Sequence, residues 1–106
     1  MEVVSVDAFD YNLIHAKHVI ASHKRRSRGL ISVTDLDIAD LLTNTNKCKI
    51  CGKYFYHEEE KTIDHIIPVC RDGELAMKNI QVLCMICNSK KDALSRPIPL
   101  KSSNLG

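Results

Sequence analysis

The sequence predicts a small α+β protein in which two N-terminal helices precede a strand, a loop, a second strand and a helix, closed by a four-cysteine metal staple. Three observations lead there. Apolar residues over 12–24 and 36–42 fall in sets compatible with helix faces, two short β-favouring runs occupy 62–67 and 80–83, and two Cys-x2-Cys pairs bracket those runs. The length of 106 residues allows a single domain and makes a second core improbable. The expected layout is a helical support with a basic segment at 1–46, the stapled unit at 47–94 and a tail at 95–106, all in one compact domain.

Composition excludes several classes. A hydrophobic fraction of 44%, 26% charged residues and only 3 Pro and 4 Gly exclude wholesale disorder and collagen-like repetition. No apolar stretch approaches the roughly 20 residues that cross a bilayer, and Glu2, Asp7 and Asp10 stand where a secretory signal wants a basic start. The expectation is a cytoplasmic protein with no membrane partner. In a reducing compartment five cysteines read as metal ligands or buried thiols, and the odd one, Cys70, as a partly buried loop residue.

The first helix is expected over 12–24, on Leu13, Ile14, Ala16, Val19, Ile20 and Ala21. Its end is basic: Lys17, Lys24, Arg25, Arg26 and Arg28 share residues 17–28 with no acid. Cations there suit the helix dipole and are equally available to phosphate, so solvated surface and DNA contact both stand. His15, His18 and His23 read as helix surface or core rather than ligands. Gly29 breaks the run, and Thr34 caps a second helix whose first turn carries Asp35 and Asp37. Leu36, Ile38, Ala39, Leu41 and Leu42 give it an apolar side ending near Thr43, and residues 43–46 make a tight link.

Beyond Lys47 the periodicity changes. His57 and Glu58 to Glu60 read as a solvated hairpin tip before the first strand at 62–67, which Pro68 ends. A loop over 69–78 contains Asp72-Gly73, the second strand covers 80–83, and the last helix 85–94 exposes Asn88, Lys91 and Asp92 while turning Met85 or Ile86 inward. Pro97 and Pro99 stop regular structure.

Cys48-x2-Cys51 and Cys84-x2-Cys87 are the strongest chemical signal. The x2 spacing lets both sulfurs of a knuckle reach one ion, and four thiolates match the tetrahedral preference of a structural zinc. Gly52 suits the turn after the first knuckle. A closed four-thiolate site lacks the exchangeable position of catalytic zinc, so its role is mechanical. Four thiolates on a dication also subtract about two charges from the formal +2, so polyanion binding must rest on local charge.

Inside the staple, Thr62-Ile-Asp64-His65-Ile-Ile-Pro68, Asn79-Ile-Gln-Val-Leu-Cys84 and Cys87-Asn88-Ser-Lys-Lys91 resemble the HNH endonuclease family, the ββα-metal or His-Me finger nucleases, in its four-cysteine form as in small phage and bacterial members. The resemblance covers about residues 47–94. It implies an α+β ββα-metal finger and a metal-dependent DNA endonuclease, with His65 as general base and Asp64 and Asn88 as ligands of Mg2+ or Mn2+. It further implies that Asn79 holds the loop that orients His65, and that Lys91 neighbours a phosphate. The last motif position is Asn instead of His and still supplies an oxygen. The loop after Pro68 has only Asp72-Gly73 where many relatives carry paired glycines.

The chemistry agrees with the name. Phosphodiester hydrolysis needs a nucleophile in line, charge relief at phosphorus and help for the departing oxygen. An imidazole of ordinary pKa, roughly 6.5, accepts a proton near neutrality. One carboxylate and one amide oxygen suit a hard ion. Neighbours in an ideal strand point to opposite faces, so Asp64 and His65 converge only where the strand is distorted or turns. Double-stranded DNA is the expected partner, met through Lys24, Arg25, Arg26, Arg28 and Lys91, with specificity low or supplied by a homodimer or a phage or bacterial protein. Two other readings compete: a noncatalytic zinc-stapled DNA-binding module, and a regulatory protein docking through the 36–42 helix.

Overall fold

The computed structural model describes residues 7–26 and 30–95. Arg28, Gly29 and the tail that holds Pro97 and Pro99 lie outside them. Three helices and one two-stranded antiparallel sheet make up the regular structure of the described residues: α1 (Ala8–Arg26), α2 (Asp35–Asn44), β1 (Lys61–His65), β2 (Ile80–Cys84) and α3 (Met85–Ser95).

Helix α1 begins four residues before the expected start, because no Gly or Pro interrupts 8–26 and Asp10 suits its positive end. Asn12, Ala16, Val19 and His23 recur at intervals of four, three and four, one stripe turned toward the rest of the molecule. Asn12 is fully buried and donates to Thr43 Oγ1 at 3.0 Å and to Glu58 Oε1 at 2.8 Å, so this face is fixed by polar as well as apolar contacts. Ile14, expected on the apolar side, is 56% exposed.

Helix α2 starts as its sequence demands. Thr34 Oγ1 accepts from the Asp37 N–H at 3.1 Å while Asp37 Oδ2 accepts from the Thr34 N–H at 2.9 Å, a reciprocal cap. Ile38, Ala39 and Leu42 are buried with Ala16, Leu75, Ile80 and Val82 in the main core. Removing the Leu42 side chain would cost about 2–5 kcal/mol there. Leu36, by contrast, is 56% exposed. The apolar stripe assigned to a docking role is therefore spent mainly inside the molecule.

The linker between α1 and α2 is stitched to the loop between the strands. Ser32 N–H donates to Leu75 O at 3.0 Å and Leu75 N–H to Leu30 O at 2.9 Å, around a parallel bridge of Ile31 with Leu75. Strands β1 and β2 pair from Lys61 with Cys84 to His65 with Ile80. Residues 58–60, expected as a solvated hairpin tip, instead form a 3-10 turn. Buried Lys61 explains the difference: its ammonium bonds Leu42 O at 2.6 Å and Glu58 Oε1 at 2.9 Å, pulling the turn onto the end of α2. Met85 and Ile86, one of them expected inside, are 64% and 63% exposed. Cys84 and Cys87 anchor that end of α3, so apolar residues there are not needed to seat it.

Candidate functional site

The first knuckle is a tight turn from Cys48 to Lys53. Cys48 N–H donates to Lys53 O at 2.9 Å and Gly52 N–H to Cys48 O at 3.0 Å, with Gly52 at φ +76°, where a side chain would strain the backbone. Lys49 N–H reaches Val82 O at 3.1 Å, docking this turn on β2. The second knuckle straddles the junction of β2 and α3, with Cys84 closing the strand and Cys87 in the first turn of the helix. All four sulfurs consequently lie within 4.8 Å of one another, and those of Cys51 and Cys84 are 3.9 Å apart. Zinc at about 2.3 Å from each of four sulfurs puts those sulfurs about 3.8 Å apart, so the donors fit this metal in kind and spacing.

Crowding four thiols also splits their acidity. Burial raises the Cys48 thiol, but backbone N–H groups around it outweigh that and bring it to about 6. Burial and the other three sulfurs push Cys87 up to about 12. A dication removes the mutual repulsion that makes the last thiol resist ionisation.

The second cluster lies along β1 and the face of α3 beside it. Asp64, His65, Asn88 and Lys91 line one open cleft of about 580 Å³, together with Arg26 from α1 and Thr62. Asp64 and His65 meet there because His65 is the last residue of the strand: the next N–H, of Ile66, donates to Asn79 O at 2.7 Å and the chain turns away. Asp64 is 8% exposed, and its Oδ2 accepts from Gln81 Nε2 at 2.9 Å and faces Lys91 Nζ at 3.3 Å. Asn88 sits one turn into α3 and donates Nδ2 to Thr62 Oγ1 at 2.8 Å, while that hydroxyl donates to Leu83 O at 2.7 Å. Its amide is thereby oriented with the nitrogen committed to the strand. One carboxylate and one amide oxygen on a shared cleft are a donor set that fits Mg2+ or Mn2+ better than a soft ion.

Asn79 holds the loop. Its Oδ1 accepts from Ile67 N–H at 2.8 Å and its Nδ2 donates to Ile67 O at 3.2 Å and Glu74 O at 2.7 Å. Gly73 completes the turn: a Cβ there would lie 1.7 Å from Ile67 O, so one glycine at this position does what the backbone requires. Asp72 takes the left-handed conformation beside it, at φ 62°.

Lys91, expected to neighbour a phosphate, lines the cleft and is engaged by His65 O at 3.0 Å and Ile66 O at 3.2 Å as well as by Asp64, so its ammonium braces the end of β1. Two expectations change. His65 is not an ordinary imidazole: burial, then the neighbouring His23, Arg26 and Lys91, lower its pKa against the opposing pull of Asp64. Cys70 is exposed on the rim of the cleft rather than partly buried, because the 3-10 turn 69–71 swings it outward.

Of the basic residues, Lys24 and Arg25 are exposed in the last turn of α1, and Arg26 faces the cleft. The residue that sequence reasoning missed is His23, 2% exposed, with Nδ1 3.1 Å from His65 Nε2. Its signal was the 12, 16, 19, 23 stripe, which places it on the buried face.

Residues 48–94, just under half of the chain, match the HNH endonuclease family model. No curated protein matches the chain. With two antiparallel strands, the following helix and a four-thiol cluster consistent with a zinc-containing form, the unit from Cys48 to Leu94 is similar over its whole length to the HNH endonuclease family.

Proposed function

We propose that the protein is a metal-dependent endonuclease that hydrolyses phosphodiester bonds in double-stranded DNA, with residues 47–94 carrying the chemistry and α1 and α2 supporting them. The observation that carries this reading is the shared cleft of Asp64, His65 and Asn88. His65, kept neutral by its surroundings, takes the proton of the attacking water. Asp64 and Asn88 hold Mg2+ or Mn2+, which when bound relieves negative charge on the phosphate and the departing oxygen. Arg26, on the same cleft, offers a cation to the DNA backbone. The four cysteines hold zinc as a structural tie and take no part in hydrolysis.

A noncatalytic zinc-stapled DNA-binding module is the second reading, and the observation on its side is the Lys91 ammonium 3.3 Å from Asp64, a cation already neutralising the carboxylate. Supercoiled plasmid incubated with zinc-loaded protein, with and without Mg2+ or Mn2+, separates the two. His65→Ala is expected to keep fold, zinc and DNA affinity but lose roughly 10²-fold or more in cleavage. Asp64→Ala also loses cleavage and binds the divalent ion more weakly, and Asn88→Ala shows a smaller defect of the same kind because its ligand is neutral. Cleavage by His65→Ala at the wild-type rate, with contamination excluded, rejects the mechanism.

A further inference from the structure

Helix α1 lies wholly outside the 48–94 segment, yet its last turn delivers a side chain to His65. The two imidazoles are nearly parallel, 8° apart, with centroids separated by 5.1 Å and nitrogens by 3.1 Å. Parallel rings whose centroids are that far apart while two nitrogens stand at hydrogen-bond distance lie side by side rather than one over the other, so the pair meets edge to edge through a nitrogen-to-nitrogen hydrogen bond. His23 cannot easily leave this contact. It is 2% exposed, on the same stripe as buried Asn12 and Ala16, and that stripe is pinned at its other end by the Asn12 bonds to Thr43 and Glu58.

We propose that His23 is a positioning residue for the nuclease reaction: its Nδ1 accepts the Nε2–H of His65, fixing the tautomer in which His65 Nδ1 keeps its lone pair for water. The assignment follows from the pairing. With Nε2 occupied by His23, only Nδ1 of His65 remains to take a proton, and it does so only if the ring's own hydrogen sits on Nε2. His23 Nδ1 must then be the acceptor, with its ring hydrogen on Nε2. When His65 has taken the proton of water, its Nε2–H to His23 becomes a charge-assisted bond and stabilises the imidazolium. A buried carboxylate plays that part for other catalytic histidines. No proton passes to His23 in this scheme; the proton on His65 returns to solvent after the phosphodiester bond has broken.

The inference rests on the nuclease reading, and its test is arranged so that the two fail separately. Full-length, zinc-loaded wild type, His65→Ala, His23→Leu and His23→Asn are compared in plasmid cleavage at saturating divalent ion. Zinc content and circular dichroism confirm folding of each. His23→Leu should lower kcat roughly ten- to hundredfold with KM unchanged, the scale on which a residue that orients a catalytic ligand acts. His23→Asn places an amide oxygen where Nδ1 stood and should recover most of that loss. Independently of activity, long-range ¹H–¹⁵N correlation spectra of the imidazoles should show His65 as the Nε2–H tautomer in wild type and as a mixture in His23→Leu. An inactive His65→Ala beside a His23→Leu with wild-type kcat overturns this inference alone, as does an Nδ1–H tautomer at His65 in wild type. His65→Ala cleaving like wild type overturns the nuclease reading itself.

Discussion

Asn79→Ala is expected to be the most damaging single truncation in the loop that abuts His65. The side chain is 6% exposed and makes three hydrogen bonds with the backbone of a loop that has no regular partner strand. Alanine removes all three and leaves one N–H and two carbonyls unpaired. A buried polar group without its partner costs about 1–3 kcal/mol. Ile67 is half exposed, so water recovers part of this, and the loss should settle near 3 kcal/mol. Against the 5–15 kcal/mol of a typical domain that is a large fraction, and the melting temperature should fall by about 10 °C or more. The effect also reaches the cleft, because the Asn79 main-chain carbonyl, which alanine keeps, receives the Ile66 N–H that ends β1 next to His65, and the side-chain bonds that seat this backbone are gone. Urea unfolding at fixed, saturating zinc measures the first quantity, and cleavage rate well below the new melting temperature the second. A loss under about 1 kcal/mol together with wild-type cleavage would show that the loop holds itself and that the amide bonds are incidental.

Cys84→Ser, or a strong zinc chelator applied to wild type, should unfold the C-terminal half, since structural zinc contributes on the order of 10 kcal/mol in small domains; stoichiometric zinc analysis beside circular dichroism checks this, and an unchanged fold without metal would refute it. Replacing Lys24 and Arg25 by alanine should weaken DNA binding equally on unrelated sequences and flatten the log affinity against log salt plot by about one unit per lost phosphate contact; an identical slope returns both side chains to solvated surface. Glu58→Gln should cost roughly 1–3 kcal/mol at pH 7, because it strips buried Lys61 of its anion. Burial raises the Glu58 carboxyl, but the Asn12 amide and the Lys61 ammonium outweigh that and hold it below 4.5. A depressed acid stabilises above its unfolded pKa and loses that contribution as pH falls through the folded one, so wild type and Glu58→Gln should converge in urea titrations once pH has fallen through that depressed value.

Elements set by local chemistry were legible in the sequence. Thr34 announces a helix cap, Gly52 a knuckle turn, and each x2 spacing a cysteine knuckle, because each depends on residues a few positions apart; the reciprocal bond from Asp37 and the meeting of the two knuckles are what the fold adds. What escaped depends on partners far away in the chain. The 57–60 segment reads as polar and solvated until Lys61, 19 residues beyond Leu42, is found buried against that helix end. Lys91 reads as a free cation until α3 sets it over the carbonyls of 65 and 66. His23 is 42 residues from His65, and nothing local distinguishes it from His15 or His18 except the buried stripe.

The same contacts explain how a domain of this size holds Asp64, His65 and Asn88 in register on one cleft. Cys84 and Cys87 of the four-thiol cluster stand at the junction of β2 and α3, and Asn88 follows Cys87 directly, so the position of its amide is tied to the cluster by one peptide bond and by the Thr62 hydroxyl. Asp64 and His65 stand at the opposite end of β1, about 10 Å along the strand from the Lys61 that pairs with Cys84. That distance is too far for the cluster alone to control a side-chain angle. Their end of the sheet is held instead by Lys91 on the strand carbonyls, by Asn79 on the loop, and by α1 through His23. The helices N-terminal to the matched segment thus complete a cleft that the stapled unit by itself braces from only one side. A substitution that loosens α1 at Asn12 should therefore reach the chemistry through His65 while leaving zinc affinity and Asn88 untouched.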